Sequence, residues 1–138
     1  MKSGYDVLKS MIGLHENRDT RALDAFISKY VPLWRGSHVN STPWCAGIVN
    51  ACERSIGKKG TGLLNARSFL KYGQEVRLKD AVPGDIVVFA RGGSTWQGHV
   101  AYFDGLEGSL IRTIGGNQSD AVTRGWYNKS RLLGIRRS

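Results

Sequence analysis

The sequence predicts an α+β fold in which helices come first and an antiparallel sheet follows. Two observations carry that expectation. Up to Gly73 the apolar residues recur three or four positions apart, the period of a helix face. Beyond Gly73 they alternate with polar residues, except in Ile86-Val87-Val88-Phe89, a continuous apolar run suited to a central strand buried on both faces. No repeat, linker or low-complexity tail interrupts residues 1–138, so a single domain is expected.

Residues 4–13 read as a short helix with Val7, Leu8, Met11 and Ile12 on one face and Gly13 at its end. Asp19 or Thr20 caps a second helix carrying Leu23, Phe26, Ile27 and Tyr30, closed by Pro32. Residues 32–41 then lead to a third. Thr42 suits its N-cap and Pro43 its first turn, which puts Cys45 at the third helical position, near the positive end of the dipole. A thiol there is biased toward thiolate, the nucleophilic form. A small buried residue on an apolar face would look the same, since Cys45, Ile48, Val49, Cys52 and Ile56 share one stripe. Residues 57–62 form a flexible basic loop. Its glycines lack the Gly-Lys-Ser/Thr ending and the preceding strand of a phosphate loop. Leu63, Ala66 and Leu70 mark a fourth helix, with Gly73 past its end.

In the second half, residues 82–85 make a turn, and 86–89 a strand. A Gly/Ser loop carrying Trp96 follows, and His99 opens a strand to Phe103. Residues 104–108 connect it as a hairpin to Leu110–Ile114, 115–120 form a polar loop, and 132–136 a last strand. The hairpin brings His99 and the loop of Asn117 to one end of the sheet. A nucleophilic thiol needs a base, and the base a partner that orients it. His99 and Asn117 have the chemistry for those roles, although a strand-initial His also suits solvent and an Asn also suits a plain turn.

Composition narrows the function. Lys and Arg number 20 against 11 acidic residues, a net charge of +9 that implies a polyanionic partner such as nucleic acid, an acidic wall polymer or an anionic lipid surface. After Asp120 there are five basic residues and no acid. No apolar run reaches the roughly 18 residues of a membrane span, and the N-terminus lacks the apolar stretch of a signal peptide. Cys45 and Cys52 are about 10 Å apart along a helix, too far for a disulfide, and two free thiols suit a protein made in a reducing cytosol. Neither they nor His15, His38 and His99 have metal-ligand spacing, so neither metal nor cofactor is expected. A nucleic-acid module would account for the charge, but no aromatic residues are interleaved with the basic ones on a binding platform.

Five motifs occur in order: Thr-Pro-Trp-Cys-Ala at 42–46, Pro-Gly-Asp-Ile-Val-Val-Phe at 83–89, Trp-Gln-Gly-His-Val at 96–100, Gly-Gly-Asn-Gln-Ser-Asp at 115–120 and Trp-Tyr-Asn-Lys-Ser-Arg-Leu-Leu-Gly at 126–134. Together they resemble the CHAP and NlpC-type cell-wall cysteine peptidases, particularly their small single-domain phage endolysin branch. The resemblance implies a papain-like α+β fold and hydrolysis of a peptidoglycan amide, by an N-acetylmuramoyl-L-alanine amidase or an endopeptidase. Carried over by position, Cys45 is the nucleophile, His99 the base and Asn117 the third member, with Gln118 the less favoured choice. Trp44, Trp96 and Gln118 are candidates to line the substrate cleft, although Trp44 also suits buried packing. Relatives often carry acidic residues before the Pro-Trp-Cys stretch, where this chain has Asn40-Ser41. The implied enzyme is a monomer made in the host cytoplasm that reaches the wall, in the periplasm, after release. Its partner is peptidoglycan, with no nucleic acid and no membrane span. A basic nucleic-acid- or cell-wall-binding module without catalysis is the alternative.

Overall fold

The computed structural model describes residues 3–138. Among these residues three α-helices, α1 (Gly4–Lys9), α2 (Thr20–Tyr30) and α3 (Cys45–Ser55), precede a six-stranded antiparallel sheet. Its strands are β1 (Gln74–Glu75), β2 (Ile86–Ala90), β3 (Gly98–Glu107), β4 (Leu110–Gln118), β5 (Ala121–Asn128) and β6 (Leu132–Arg137), in the order β1-β6-β2-β3-β4-β5. The α+β expectation holds.

Every residue of α3 from Cys45 to Glu53 is buried. One side of the helix packs on α1 and α2 and the other on β3 and β4. The core between helices and sheet includes Leu23, Ile27, Trp34, Trp44, Ile48, Val88, Val100, Tyr102 and Ile114. A second core lies on the other face of the sheet around Val87, Phe89, Ala101, Phe103, Ile111 and Ile135. The run from Ile86 to Phe89 is therefore buried on both faces. The second core needs no further layer, because the sheet curls. Phe89 of β2 and Tyr127 of β5 stand three strand positions apart, about 14 Å in a flat sheet. Their rings nevertheless stack at 4.7 Å.

Four local expectations are corrected. First, α3 begins at Cys45, with Trp44 rather than Thr42 in the cap position and Pro43 outside the helix. The Trp44 indole is sunk in the core and donates to Glu16 Oε1 at 3.0 Å, and that anchor sets where the chain turns into the helix. Second, the fourth helix is a 3-10 segment, Ala66–Lys71, with no side-chain cap on its first turn. Third, the Gly57–Gly62 loop is pinned. Buried Asn50 accepts from the Thr61 and Gly62 amides at 2.7 and 3.0 Å, and Arg54 holds the Lys59 carbonyl at 2.8 Å. A Cβ on Gly60 would meet Asn50 Oδ1 at 2.4 Å, so the glycine is required there. Fourth, residues 115–120 are not a loop. They complete β4 and turn tightly into β5, through Ser119 and Asp120 at positive φ, as a type I′ connection requires.

The turn at 82–85 is as expected, and Asp85 closes it. Its buried carboxylate accepts the Val82 amide at 2.9 Å and takes a two-pronged bond from Arg137 at 2.7 and 2.8 Å. That pair ties the end of β6 to the start of β2.

Candidate active site

The site lies where the start of α3 meets the end of the sheet at which β3 and β4 separate. The two strands pair from Glu107–Leu110 as far as Tyr102–Ile114 and no further. Beyond that point β4 carries Gly115 and Gly116 beside the helix start. A Cβ on Gly116 would stand 2.6 Å from Trp44 and 2.7 Å from Ile48, so a glycine is what lets α3 come this close.

Cys45 is the first residue of α3, and 6% of its surface is exposed. Trp44 has no side-chain cap to offer, so the first-turn amides stay free of side-chain partners. Burial pushes the Cys45 thiol up, and the amides of Val100, Ala46 and Cys45 together with the Arg91 charge only partly offset this. The expectation of a standing thiolate is therefore corrected. Position at a helix start favours the anion, but loss of water costs more.

His99, beside Val100 on β3, is 3% exposed. Its ring stacks on Tyr127 at 5.1 Å, and Tyr127 continues to Phe89. Burial and then the Cys45 charge push the Tyr127 hydroxyl up to about 12.

The partner of His99 is Gln118. Its Oε1 lies 2.8 Å from His99 Nε2. The amide orientation follows from its other contacts. Gln118 Nε2 donates to the Thr123 carbonyl at 2.8 Å, and Thr113 Oγ1 donates to Oε1 at 3.0 Å. A flipped amide would set Oε1 against the Thr123 carbonyl, two acceptors facing each other. With Oε1 toward the ring, Nε2 must carry the hydrogen, and Nδ1 keeps the lone pair.

Asn117, the expected partner, is not on the imidazole. It lines a separate shallow groove with Glu16, Thr42 and Pro43. The cause is a bulge between Gly115 and Gln118. Strict alternation from Ile111, Thr113 and Gly115 would put residue 117 on the face of His99. Asn117 instead takes a left-handed φ of 59°, which shifts the phase and delivers Gln118 there.

Of the other candidates, Trp96 is 71% exposed and shares a cavity of about 180 Å³ with Cys45, Arg91 and Gly98. Trp44 is fully buried and cannot touch a substrate. Gln118, 5% exposed and committed to His99, Thr113 and Thr123, is likewise withdrawn from the cleft. Tyr127 and Arg91 were not anticipated. The Trp-Tyr-Asn motif was the one available signal for Tyr127.

The CHAP domain family model matches residues 37–117, which include Cys45 and His99. The chain belongs to the CHAP domain family. CHAP domains are typically cysteine- and histidine-dependent amidohydrolases or peptidases, and membership points to peptidoglycan as the substrate. No curated protein matches the chain. No helix among the described residues is long and apolar enough to cross a membrane.

The buried imidazole gives this CHAP domain a pH signature. Burial lowers His99 to about 4; Gln118 acts to raise it, and Arg91 and Arg131 to lower it. Between about 6.5 and 4 an unfolded chain takes up a proton that folded His99 refuses. Stability should thus be complete above about pH 6.5 and fall by about 3 kcal/mol as pH drops to 4. Asp19 is lowered from 3.8 mainly by the His15 amide; Asp104 is lowered by bonds from Tyr5, Arg112 and Arg124 despite its burial. Both act below this window. Urea unfolding at pH 7 and 4.5 checks it: His99→Gln should lose distinctly less stability than wild type, and equal losses would assign the effect to other groups.

Proposed function

We propose that the chain hydrolyses an amide bond of the peptidoglycan peptide stem, with Cys45 as nucleophile, His99 as general base and Gln118, in place of Asn117, as the residue that orients the imidazole. The observation that carries this reading is the Gln118 bond network, which leaves a buried, neutral His99 with Nδ1 as its basic nitrogen.

Cys45 and His99 rest as thiol and imidazole. As Sγ attacks the substrate carbonyl, its proton passes to His99 Nδ1. The carbonyl oxygen becomes an oxyanion, for which the Cys45 amide at the helix start is a donor. The tetrahedral intermediate collapses to a thioester, and the imidazolium protonates the departing amine. Water, deprotonated by His99, then cleaves the thioester and frees the thiol. Trp96 stands as a wall of the cleft.

Host lysis by a phage endolysin is the role we favour. Two free buried cysteines and a net charge of +9 support it, one suiting synthesis in a reducing cytosol and the other adhesion to an anionic envelope.

Mass spectrometry of purified peptidoglycan digested by wild type and by Cys45→Ala tests the reaction. New amine-ended fragments from wild type alone are expected. A new L-Ala amine identifies an amidase, and an amine deeper in the stem or crosslink an endopeptidase. Wall pulldown without fragments from several wall chemotypes would instead favour the non-catalytic binding domain.

A further inference from the structure

The cavity at Cys45 does not end there. Asn65 and Trp96 line both it and a second cavity of about 560 Å³, so the two form one groove leading away from the thiol. Its charge is one-sided. Arg91 lies at the thiol end, and Arg67 and Lys71 lie along the second cavity. Among the described residues no Asp or Glu lines either cavity, and none of the three cations pairs with a carboxylate. The separate groove that Pro43 shares with Thr42 and Asn117 is lined by Glu16 and by no cation.

The cationic arm is also held in place. Arg67 donates from Nε to the Gln97 carbonyl at 2.8 Å and from Nη2 to the Ser94 carbonyl at 2.7 Å. Those bonds fasten the loop that carries Arg91 and Trp96. The far wall is fastened by Asn50 through Thr61, which itself bonds Ser68 at 2.9 Å. An unpaired guanidinium on an anchored loop, close enough for its charge to act on both Cys45 and His99, is placed to meet a charged group near the scissile bond.

Resting on the hydrolase reading above, we propose that this groove is a carboxylate subsite, in which Arg91 binds a free carboxylate of the stem peptide next to the bond that is cut. Trp96 covers the adjoining backbone, and Lys71 extends the positive field along the groove. The enzyme therefore discriminates between stems whose acidic residue is free and stems in which it is a carboxamide.

The test is calorimetric titration of Cys45→Ala with two soluble muropeptides that differ only in carboxylate against carboxamide. Preference for the carboxylate form by about tenfold is expected, the scale of one charge-assisted bond. Adding Arg91→Gln should bring the ratio to about two or less, and adding Arg91→Lys should keep a large part of it, since the charge remains. Equal binding of the two peptides, binding of neither at millimolar concentration, or a preference unchanged by Arg91→Gln would each overturn the subsite. Wild type that shows the preference yet cuts neither peptide would overturn the hydrolase reading and leave the subsite standing.

Discussion

Gln118→Leu should lower kcat on peptidoglycan by about 10² to 10³-fold, the scale of losing a positioned general base, in a protein that still folds. Leucine keeps most of the volume and removes every polar contact. His99 Nε2–H then faces a hydrocarbon, and nothing selects the tautomer that leaves Nδ1 basic. The ring remains stacked on Tyr127, so it is not displaced wholesale. A stability loss of about 2 kcal/mol should accompany the change, because the ring N–H and the Thr123 carbonyl lose a buried partner. The comparison is Asn117→Gly, which keeps the left-handed backbone available and removes the amide. It should hold kcat within about threefold of wild type, since general-base positioning is untouched. Turbidity loss of wall suspensions reads the rates, and thermal melts establish that each variant is folded. A large loss in Asn117→Gly beside a small one in Gln118→Leu would return the third role to Asn117.

The second large effect concerns the fold. Gly116→Ala should destabilise by about 3 kcal/mol, at the upper end for overpacking a core. The new methyl would stand 2.6 to 2.8 Å from Trp44 and Ile48. Both side chains are completely buried, and Trp44 is also tethered to Glu16, so neither has room to retreat. For a chain of this length the melting temperature should fall by about 10 °C. Gly93→Ala is the control, since nothing lies within 4 Å of its Cβ position and its φ is not positive. A Gly116→Ala variant melting with the Gly93→Ala control would mean that α3 does not rest on β4 as closely as described.

Much of the architecture was legible because it depends on local pattern. The double burial of Ile86–Phe89, the break in period at Gly73 and the hairpin that sets His99 opposite the end of β4 all follow from apolar spacing and turn residues. What escaped depends on contacts distant in sequence. The register of α3 is set by an indole bonded to Glu16, twenty-eight positions away, which no capping rule contains. The partner of His99 was missed by one residue, because a bulge adds a half-step that alternation cannot count. β5 was overlooked because Arg124 and Gly125 interrupt its apolar signal. The state of the thiol was misjudged for a related reason: helix position is written in the sequence, whereas the depth of burial is written in the packing of other segments.

Both borders of the sheet are guarded against a stranger. A bare strand edge invites another chain to add to it, and so begins aggregation. Here β1 is only two residues long, too short to template a neighbour. At the other border, residues Gly13–Glu16 lie along the start of β5: the Gly13 amide reaches the Val122 carbonyl at 2.9 Å, and the Val122 amide reaches the Leu14 carbonyl at 2.9 Å. His15, without an assigned part in the sequence, forms the bridge opposite Ala121. The uncovered remainder carries Arg124 and runs on to Lys129 and Arg131, so two such borders repel each other. The basic residues along this border thereby keep molecules of the protein apart at high concentration.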